Sequence, residues 1–244
     1  MEAVTPNKPL AVVTGASSGI GYEMAKQFAQ HGYDLIIVSE NPAIVEAAQT
    51  CRMLGAEVES YVIDLAEYEG VDELKNKIDE TDRPVEAIAI NGGINLTGES
   101  RIDADWDDEL NVINLNVIST VHLAKHMIND MIKRKRGKIL FTSSVVGPMP
   151  DQLGPVYSAA KSFIQTYAES LREQLKGSGI TITELVPESP ENNFLQPAAE
   201  VAEYGFQYMM SGEGHVEVGL AKNKSGQGKV NAPRAFGEAS KLKH

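Results

Sequence analysis

Short apolar runs alternate with longer amphipathic stretches along the whole chain. The apolar runs predict strands, which are Leu10–Thr14, Leu35–Val38, Val58–Ile63, Val85–Ile90, Ile139–Thr142, Ile180–Val186 and His215–Val218. Most of these runs are apolar throughout instead of alternating with polar residues. We therefore expect strands that are covered by other elements on both faces.

The stretches between these runs carry apolar residues at helical spacing. A long helical region is predicted from about Asp105 to Lys133, and further helices over Val156–Lys176 and Val201–Met210. Alternation of strand and helix predicts an α/β fold with a doubly wound parallel sheet of about seven strands. We expect one domain over residues 1–221 and a loose polar tail over residues 222–244.

Length and composition agree with one large soluble globular domain. The chain has 244 residues, of which 42% are hydrophobic, and no apolar run approaches the ~18 residues of a membrane span. The N-terminal residues lack the pattern of a signal peptide. Cys51 is the single cysteine, which excludes an intrachain disulfide, so we expect a cytoplasmic protein without membrane contact.

The net charge of −12 argues against nucleic acid as a partner, because an acidic chain repels phosphate backbones. The basic run Lys133–Arg136 is a local exception. It is interpreted as a solvated helix end, where cations suit the negative pole of the helix dipole, although an anion patch is the alternative.

The turn from Thr14 to Gly21 is rich in glycine and serine and joins a strand to a helix. Gly15 would turn the chain, Gly19 would let backbone approach a phosphate, and Gly21 would allow close packing of helix on strand. The helix N-terminus would then hold a dinucleotide pyrophosphate. Such a turn, taken alone, is more often an ordinary loop than a cofactor site.

Two further strand ends carry candidate ligand contacts, because strand C-termini line the crevice of such sheets. Asp64, next to Leu65, could accept a hydrogen bond from an adenine amino group or could cap the following helix. Asn91, Gly92 and Gly93 would let a ribose lie close to backbone, or form a tight turn.

Tyr157 and Lys161 are four positions apart and share a helix face. An ammonium about 4 Å from the phenol contributes roughly 4 kcal/mol at an effective dielectric of ~20, or about three pKa units before desolvation subtracts. That would bring the phenol toward the range of a general acid or base. Ser144 follows a strand on the crevice side, and Asn116 would either anchor a water near Lys161 or bond to backbone.

These residues resemble the short-chain dehydrogenase/reductase family over roughly residues 8–220. The resemblance implies an Asn–Ser–Tyr–Lys tetrad, here Asn116, Ser144, Tyr157 and Lys161. It also implies a bound NAD or NADP. The candidate cofactor site comprises Gly15, Ser17, Ser18, Gly19, Ile20, Gly21, Glu40, Asp64, Leu65, Asn91, Gly92, Gly93, Tyr157, Lys161 and Pro187.

The chain departs from the family pattern in three places. Pro187 is followed by glutamate where the family often has glycine, and Asn192 stands near the place of a nicotinamide-binding threonine. The segment before the Val201 helix is short, which suggests an open active site. Glu40 stands where NADP-dependent members commonly have arginine, so we expect roughly a ten-fold preference for NAD over NADP. Ser39 and Asn41 could instead hydrogen-bond a 2′-phosphate.

The resemblance predicts an oxidoreductase that interconverts an alcohol and a ketone or aldehyde, with a small molecule as substrate. The alternative is a dinucleotide-binding sensor or scaffold with little turnover. The family and the apolar content of the Asp105–Lys133 region together predict a homodimer or homotetramer. His122 and His126 lie one helical turn apart, but no third ligand is evident in the sequence, so no metal site is predicted.

Overall fold

The computed structural model describes residues 8–93, 104–144, 154–187 and 197–218. Within these ranges one parallel sheet has the strand order 3-2-1-4-5-6-7. Its strands are β1 Leu10–Thr14, β2 Asp34–Ser39, β3 Val58–Val62, β4 Val85–Ile90, β5 Gly137–Thr142, β6 Ile180–Pro187 and β7 His215–Val218. The predicted sheet of about seven parallel strands is confirmed.

Helices cover both faces of the sheet, which confirms the doubly wound arrangement. They are α1 Gly19–Gln30, α2 Ile44–Met53, α3 Tyr68–Glu80, α4 Trp106–Ile113, α5 Ser119–Arg134, α6 Pro155–Gln174 and α7 Ala198–Ser211. The long helical region predicted between Asp105 and Lys133 is not one regular helix. A π-helical turn, Asn114–Ile118, separates α4 from α5.

Side chains of each strand alternate between two hydrophobic cores. On β1, Ala11 and Val13 join the core formed with α1, α2 and α7. Leu10 and Val12 join the core on the opposite face, formed with α3, α5 and α6. Both faces are therefore buried, which explains why the strands are apolar at successive positions.

The basic run at the end of α5 is a helix terminus, as interpreted from the sequence. Helix α5 ends at Arg134, and Lys135 adopts a left-handed conformation with φ of 54°. Arg136 pairs with Glu86, its Nε lying 2.6 Å from the carboxylate. None of the described helices is both long and apolar enough to cross a bilayer.

The chain order of the strands reverses at β1, which lies between β2 and β4. A crevice opens at the carboxyl ends of strands at such a switch point, and this is where ligands bind in open α/β sheets. The predicted polar tail, 222–244, and Asn192 lie outside the described residues, as does the residue after Gly93.

Candidate active site

A cavity of about 650 Å³ lies at the carboxyl ends of the strands. Its volume falls within the range of roughly 300–1,000 Å³ that is usual for small-molecule and cofactor sites. Residues after β1, β2, β3, β4, β5 and β6 contribute to its lining, as does the first turn of α1. The cavity therefore coincides with the crevice that the strand order predicts.

The glycine-rich turn forms one wall of this cavity. Gly15 and Gly19 have positive φ angles of 61° and 56°, which side chains other than glycine rarely adopt. The first backbone hydrogen bond of α1 runs from the Tyr22 N–H to the Ser18 carbonyl. The N–H groups before Tyr22 are thus those that a helix leaves without an intrahelical partner, and they suit an anion.

Gly21 does not line the cavity but makes the turn possible. A Cβ atom at Gly21 would lie 2.3 Å from the carbonyl oxygen of Gly15 and 2.6 Å from Nδ2 of Asn91. Both contacts are far inside van der Waals distance. Gly21 therefore permits the close packing that the sequence predicted for it, and the same packing positions Asn91.

Asn91 connects the ends of three strands. Its backbone N–H donates to Oγ1 of Thr14 at 3.0 Å, and the next N–H, of Gly92, donates to the same oxygen at 3.1 Å. Thr142, at the end of β5, donates its hydroxyl hydrogen to Oδ1 of Asn91 at 2.6 Å. These bonds fix the backbone of Asn91, Gly92 and Gly93 at the floor of the cavity.

The rim of the cavity near β2 and β3 carries acidic and hydroxyl groups. Glu40 is exposed there, beside Ser39, whose hydroxyl lies 2.9 Å from that of Ser17. Asp64 accepts a hydrogen bond from the Ala66 N–H at 2.8 Å, inside the turn before α3. The carboxylate thus caps a turn, and not helix α3 itself, while lining the cavity with Leu65.

Ser144, Tyr157 and Lys161 line the end of the cavity formed by β5 and α6. Lys161 is 5% exposed, and its Nζ donates to the Thr142 carbonyl at 3.2 Å. The same Nζ lies 5.6 Å from the centroid of the Tyr157 ring. One strand end and one helix thus bring a hydroxyl, a phenol and an amine to the same place.

Burial dominates the acid–base behaviour of this pair. It raises the pKa of Tyr157 above its ordinary value and lowers the pKa of Lys161 to about 8. The sequence predicts that the ammonium of Lys161 lowers the pKa of Tyr157, which is the opposite direction. The reason is that desolvation disfavours the phenolate, and this effect outweighs any attraction to the ammonium of Lys161.

Asn116 lies behind this end of the cavity, inside the π-helical turn, and is 1% exposed. Its Nδ2 donates to the Val112 carbonyl at 2.9 Å, which is the backbone bond considered as one alternative. A Cβ atom at Gly93 would lie 2.7 Å from both Oδ1 of Asn116 and Nζ of Lys161. Gly93 therefore lets the amide and the amine approach the cavity floor together.

Beneath Ser144 a polar chain crosses the sheet from the cavity toward the surface. The buried Ser143 donates its hydroxyl hydrogen to Oε1 of Glu184 at 2.7 Å. Nδ1 of His215 lies 2.9 Å from Oε2 of the same carboxylate. The hydrogen bond to Glu184 raises the pKa of His215 and keeps the buried carboxylate paired.

The lining contains every residue predicted for the cofactor except Gly21, and every predicted catalytic residue except Asn116. Sequence reasoning did not select several others, namely Ile63, Leu115, Thr142, Ser143, Ala198 and Val201. Thr142 and Ser143 directly precede Ser144 at the end of β5, so the strand-end rule could have identified them. Leu115 and Val201 belong to helical segments that only the tertiary structure brings here.

The comparisons with known proteins agree with this geometry. The family model for short chain dehydrogenase matches residues 9–200. An uncharacterised short-chain type dehydrogenase/reductase, y4eK, of Sinorhizobium fredii is 32% identical over 189 residues, covering 78% of this chain and 73% of the relative.

Solved structures share the fold at lower identity. A short-chain dehydrogenase from Sphingobium yanoikuyae in complex with NADPH superposes with a TM-score of 0.79 at 23% identity, covering 86% of this chain and 87% of the other. A short-chain dehydrogenase/reductase from Burkholderia phymatum in complex with NAD has a TM-score of 0.79 at 21% identity, covering 86% and 89%. With the family model matched over most of its length, the chain belongs to the short-chain dehydrogenase/reductase family of oxidoreductases.

Proposed function

We propose that this protein uses NAD or NADP to interconvert an alcohol and a ketone or aldehyde, a small molecule bound beside Ser144 and Tyr157. One observation carries the proposal. A single cavity joins a glycine-rich helix N-terminus at one end to Ser144, Tyr157 and Lys161 at the other. Anion binding and proton transfer are thus provided at opposite ends of one site.

The residues present fit a nicotinamide dinucleotide. At Gly19, where α1 begins, a Cβ atom would have no neighbouring atom within 4 Å, so open space borders the backbone there. The turn Ser17–Gly19 would hold the pyrophosphate, Asp64 the adenine, and Gly93 with Lys161 the nicotinamide ribose. When bound, the cofactor supplies or accepts a hydride.

The protein's own groups would manage the oxygen of the substrate. Ser144 would hold that oxygen by its hydroxyl, and Tyr157 would move the proton. The raised pKa of Tyr157 keeps the phenol protonated at neutral pH, which is the form that donates to a carbonyl oxygen. We therefore propose carbonyl reduction as the direction favoured near neutral pH, and alcohol oxidation as favoured at higher pH.

Replacement of Tyr157 by phenylalanine tests this function. Tyr157→Phe should lower kcat at least a hundred-fold while changing cofactor affinity by no more than a few-fold, because it removes a proton donor but few cofactor contacts. The assay is cofactor oxidation with a panel of ketones and aldehydes, and affinity is measured by calorimetric titration.

Tyr167→Phe is the matched control, because Tyr167 lies on the same helix, and there too burial raises the pKa of the phenol. It should retain wild-type turnover. Cofactor binding without turnover on any carbonyl, in wild type, would support the sensor or scaffold alternative. More than about a tenth of wild-type kcat in Tyr157→Phe would contradict the role of the phenol.

NAD is the cofactor that we propose to be preferred. Glu40 is exposed at the end of β2, where a 2′-phosphate would lie near its carboxylate. Among the described residues of the cavity lining, Lys161 is the only lysine or arginine, and it lies at the opposite end. A repulsion of ~1–2 kcal/mol without a compensating cation gives roughly a ten-fold preference for NAD.

A homodimer formed through α5 and α6 is the assembly that we propose, and proteins of this family are typically oligomeric. Ile118, Ile132 and Phe163 are between 41% and 48% exposed, although each is large and apolar. Burial of such side chains stabilises an interface by roughly 25 cal/mol per Å² of apolar surface.

Light scattering at micromolar concentration should give at least twice the chain mass of 26.4 kDa. Phe163→Asp should shift the protein toward monomer. Met53→Asp should leave the mass unchanged, because Met53 is exposed on α2, which packs on the other face of the sheet. A monomeric wild type would contradict the proposal.

A further inference from the structure

Three potential metal ligands meet on the surface between α3 and α5, away from the cavity. They are Asp72 of α3 and the pair His122 and His126 of α5, and each offers one ligand atom within 4.8 Å of the other two. The histidines were visible in the sequence as a pair without a third ligand. The packing of α3 on α5 provides that ligand from 50 positions away.

The distances among the three atoms match a metal site. Nε2 of His122 and Nε2 of His126 are 3.0 Å apart, and they lie 3.2 and 3.5 Å from Oδ1 of Asp72. Tetrahedral Zn²⁺ with bonds of ~2.05 Å places its ligand atoms ~3.4 Å from one another. The three side chains therefore already occupy one face of such a tetrahedron.

Hydrogen bonds alone cannot make all three contacts between these atoms favourable. Each Nε2 carries at most one hydrogen, and the carboxylate oxygen of Asp72 only accepts. If both nitrogens donate to the oxygen, their hydrogens oppose each other across the 3.0 Å contact between the rings. If only one Nε2 carries a hydrogen, the lone pair of the other Nε2 faces the lone pair of the Asp72 oxygen. A cation between the three atoms would accept a lone pair from each of them, and these attractions would outweigh the repulsion among the three atoms.

The surroundings fix one ligand and leave access for a cation. The ring of His122 stacks on Tyr68 with centroids 4.5 Å apart, which holds its Nε2 toward Asp72. Asp72 and His126 are partly exposed, so solvent can reach the site and supply a fourth ligand. Lys75, one turn after Asp72, pairs with Asp79 and Asp130 and so does not leave an uncompensated positive charge beside the site.

We propose that Asp72, His122 and His126 bind a divalent transition metal, with Zn²⁺ as the metal that two imidazoles and one carboxylate suit best. The bound ion would clamp α3 to α5. Within the described residues, Nδ1 of His122 is buried without a hydrogen-bond partner, so the ligand lacks the outer acceptor that usually strengthens such sites ten- to a hundred-fold. The affinity expected is therefore weaker than that of a four-ligand structural site.

Calorimetric titration with ZnCl₂ tests the proposal, using the full chain after treatment with a chelator and removal of any affinity tag. One Zn²⁺ should bind per chain, and Co²⁺ in its place should give the visible absorption of a four-coordinate complex. At a hundred-fold excess over the dissociation constant, Zn²⁺ should raise Tm by about 5–10 °C.

Asp72→Asn and His126→Gln each replace one metal ligand. Both side chains are partly exposed, so both variants should keep the fold. Each should weaken Zn²⁺ binding at least ten-fold and abolish the rise in Tm. Glu73→Gln, at an exposed position of α3, and His31→Gln, an exposed histidine outside the cluster, are the matched controls and should bind as wild type does. Absence of stoichiometric binding in wild type, or unchanged binding in both ligand variants, would overturn the proposal.

Discussion

Lys161 should destabilise the folded protein at neutral pH, so its replacement by methionine should stabilise it. The side chain is 5% exposed, and burial lowers its pKa from 10.5 to about 8. Below pH 8 the folded protein must therefore hold an ammonium that the unfolded chain would keep in water. Methionine retains an unbranched stem of similar length and removes the charge.

The magnitude follows from the two pKa values. A fall of the Lys161 pKa from 10.5 to about 8 corresponds to roughly 3 kcal/mol of unfavourable free energy, since each pKa unit is worth ~1.4 kcal/mol. The hydrogen bond from Lys161 to the Thr142 carbonyl, at 3.2 Å, is lost in the variant and subtracts about 1 kcal/mol. We expect Lys161→Met to be more stable than wild type by about 2 kcal/mol at pH 7, or roughly 4–8 °C in Tm.

The sign of the pH dependence separates charge from packing. Because the folded pKa of Lys161 is depressed, the cost is complete below pH 8 and disappears as the pH rises through 10.5. The stability of the variant relative to wild type should therefore fall by roughly 2–3 kcal/mol between pH 7 and pH 10, which removes its advantage. Groups that titrate in both proteins cancel in this difference.

Urea unfolding followed by circular dichroism, at one protein concentration and at several pH values, measures the effect. Lys125→Met, at an exposed position of α5, is the control and should change stability by less than about 0.5 kcal/mol at every pH. A Lys161→Met protein that is less stable than wild type at pH 7, or whose difference from wild type is independent of pH, would refute the reasoning. The same variant should lose catalytic turnover.

Two further predictions concern charged groups at opposite sides of the fold. Glu40→Arg should raise the ratio of kcat/KM for NADP to that for NAD at least ten-fold. The control Glu46→Arg, outside the cavity, should leave this ratio unchanged. A wild type that already prefers NADP would contradict the prediction. Because the pKa of His215 is raised in the folded protein, its pairing with Glu184 stabilises the fold fully below pH ~6.5. This contribution disappears as the pH rises through the folded pKa. His215→Gln, which keeps a neutral donor, should cost about 1–2 kcal/mol at pH 5.5 and less at pH 8.5 in thermal unfolding, and an equal cost at both pH values would count against the charge.

The strands could be predicted from the sequence because their signal is local. Leu10–Thr14, Val85–Ile90 and His215–Val218 have the same bounds in the structure as in the prediction. The π-helical turn Asn114–Ile118 could not, since it is a single-turn insertion inside a helical region whose apolar spacing on both sides predicts helix. Yet it is this turn that carries Asn116 and brings it against Gly93 and Lys161.

The acid–base prediction failed for a related reason. The spacing of Tyr157 and Lys161 shows that the two groups share a helix face, but it does not show how deeply the face is buried. Loss of water around both groups outweighs the Coulomb attraction between them. Burial depends on β5, α6 and the floor around Gly93 together, and none of these can be inferred from a four-residue spacing.

Residues that conflict with local folding rules line the cavity, whereas the residues of the proposed zinc site show no such conflict. Gly15 and Gly19 with positive φ, and a lysine on the apolar face of a helix, each conflict with ordinary stability preferences, and such conflicts cluster at functional sites. His122 and His126 break no local rule, because a histidine pair on a helix surface is unremarkable by itself. Their conflict arises only when Asp72 approaches from α3 and three lone-pair donors meet. A site assembled from separately ordinary residues must therefore be sought in distances between elements, whereas a glycine-rich turn or a lysine on an apolar helix face is already visible along the chain.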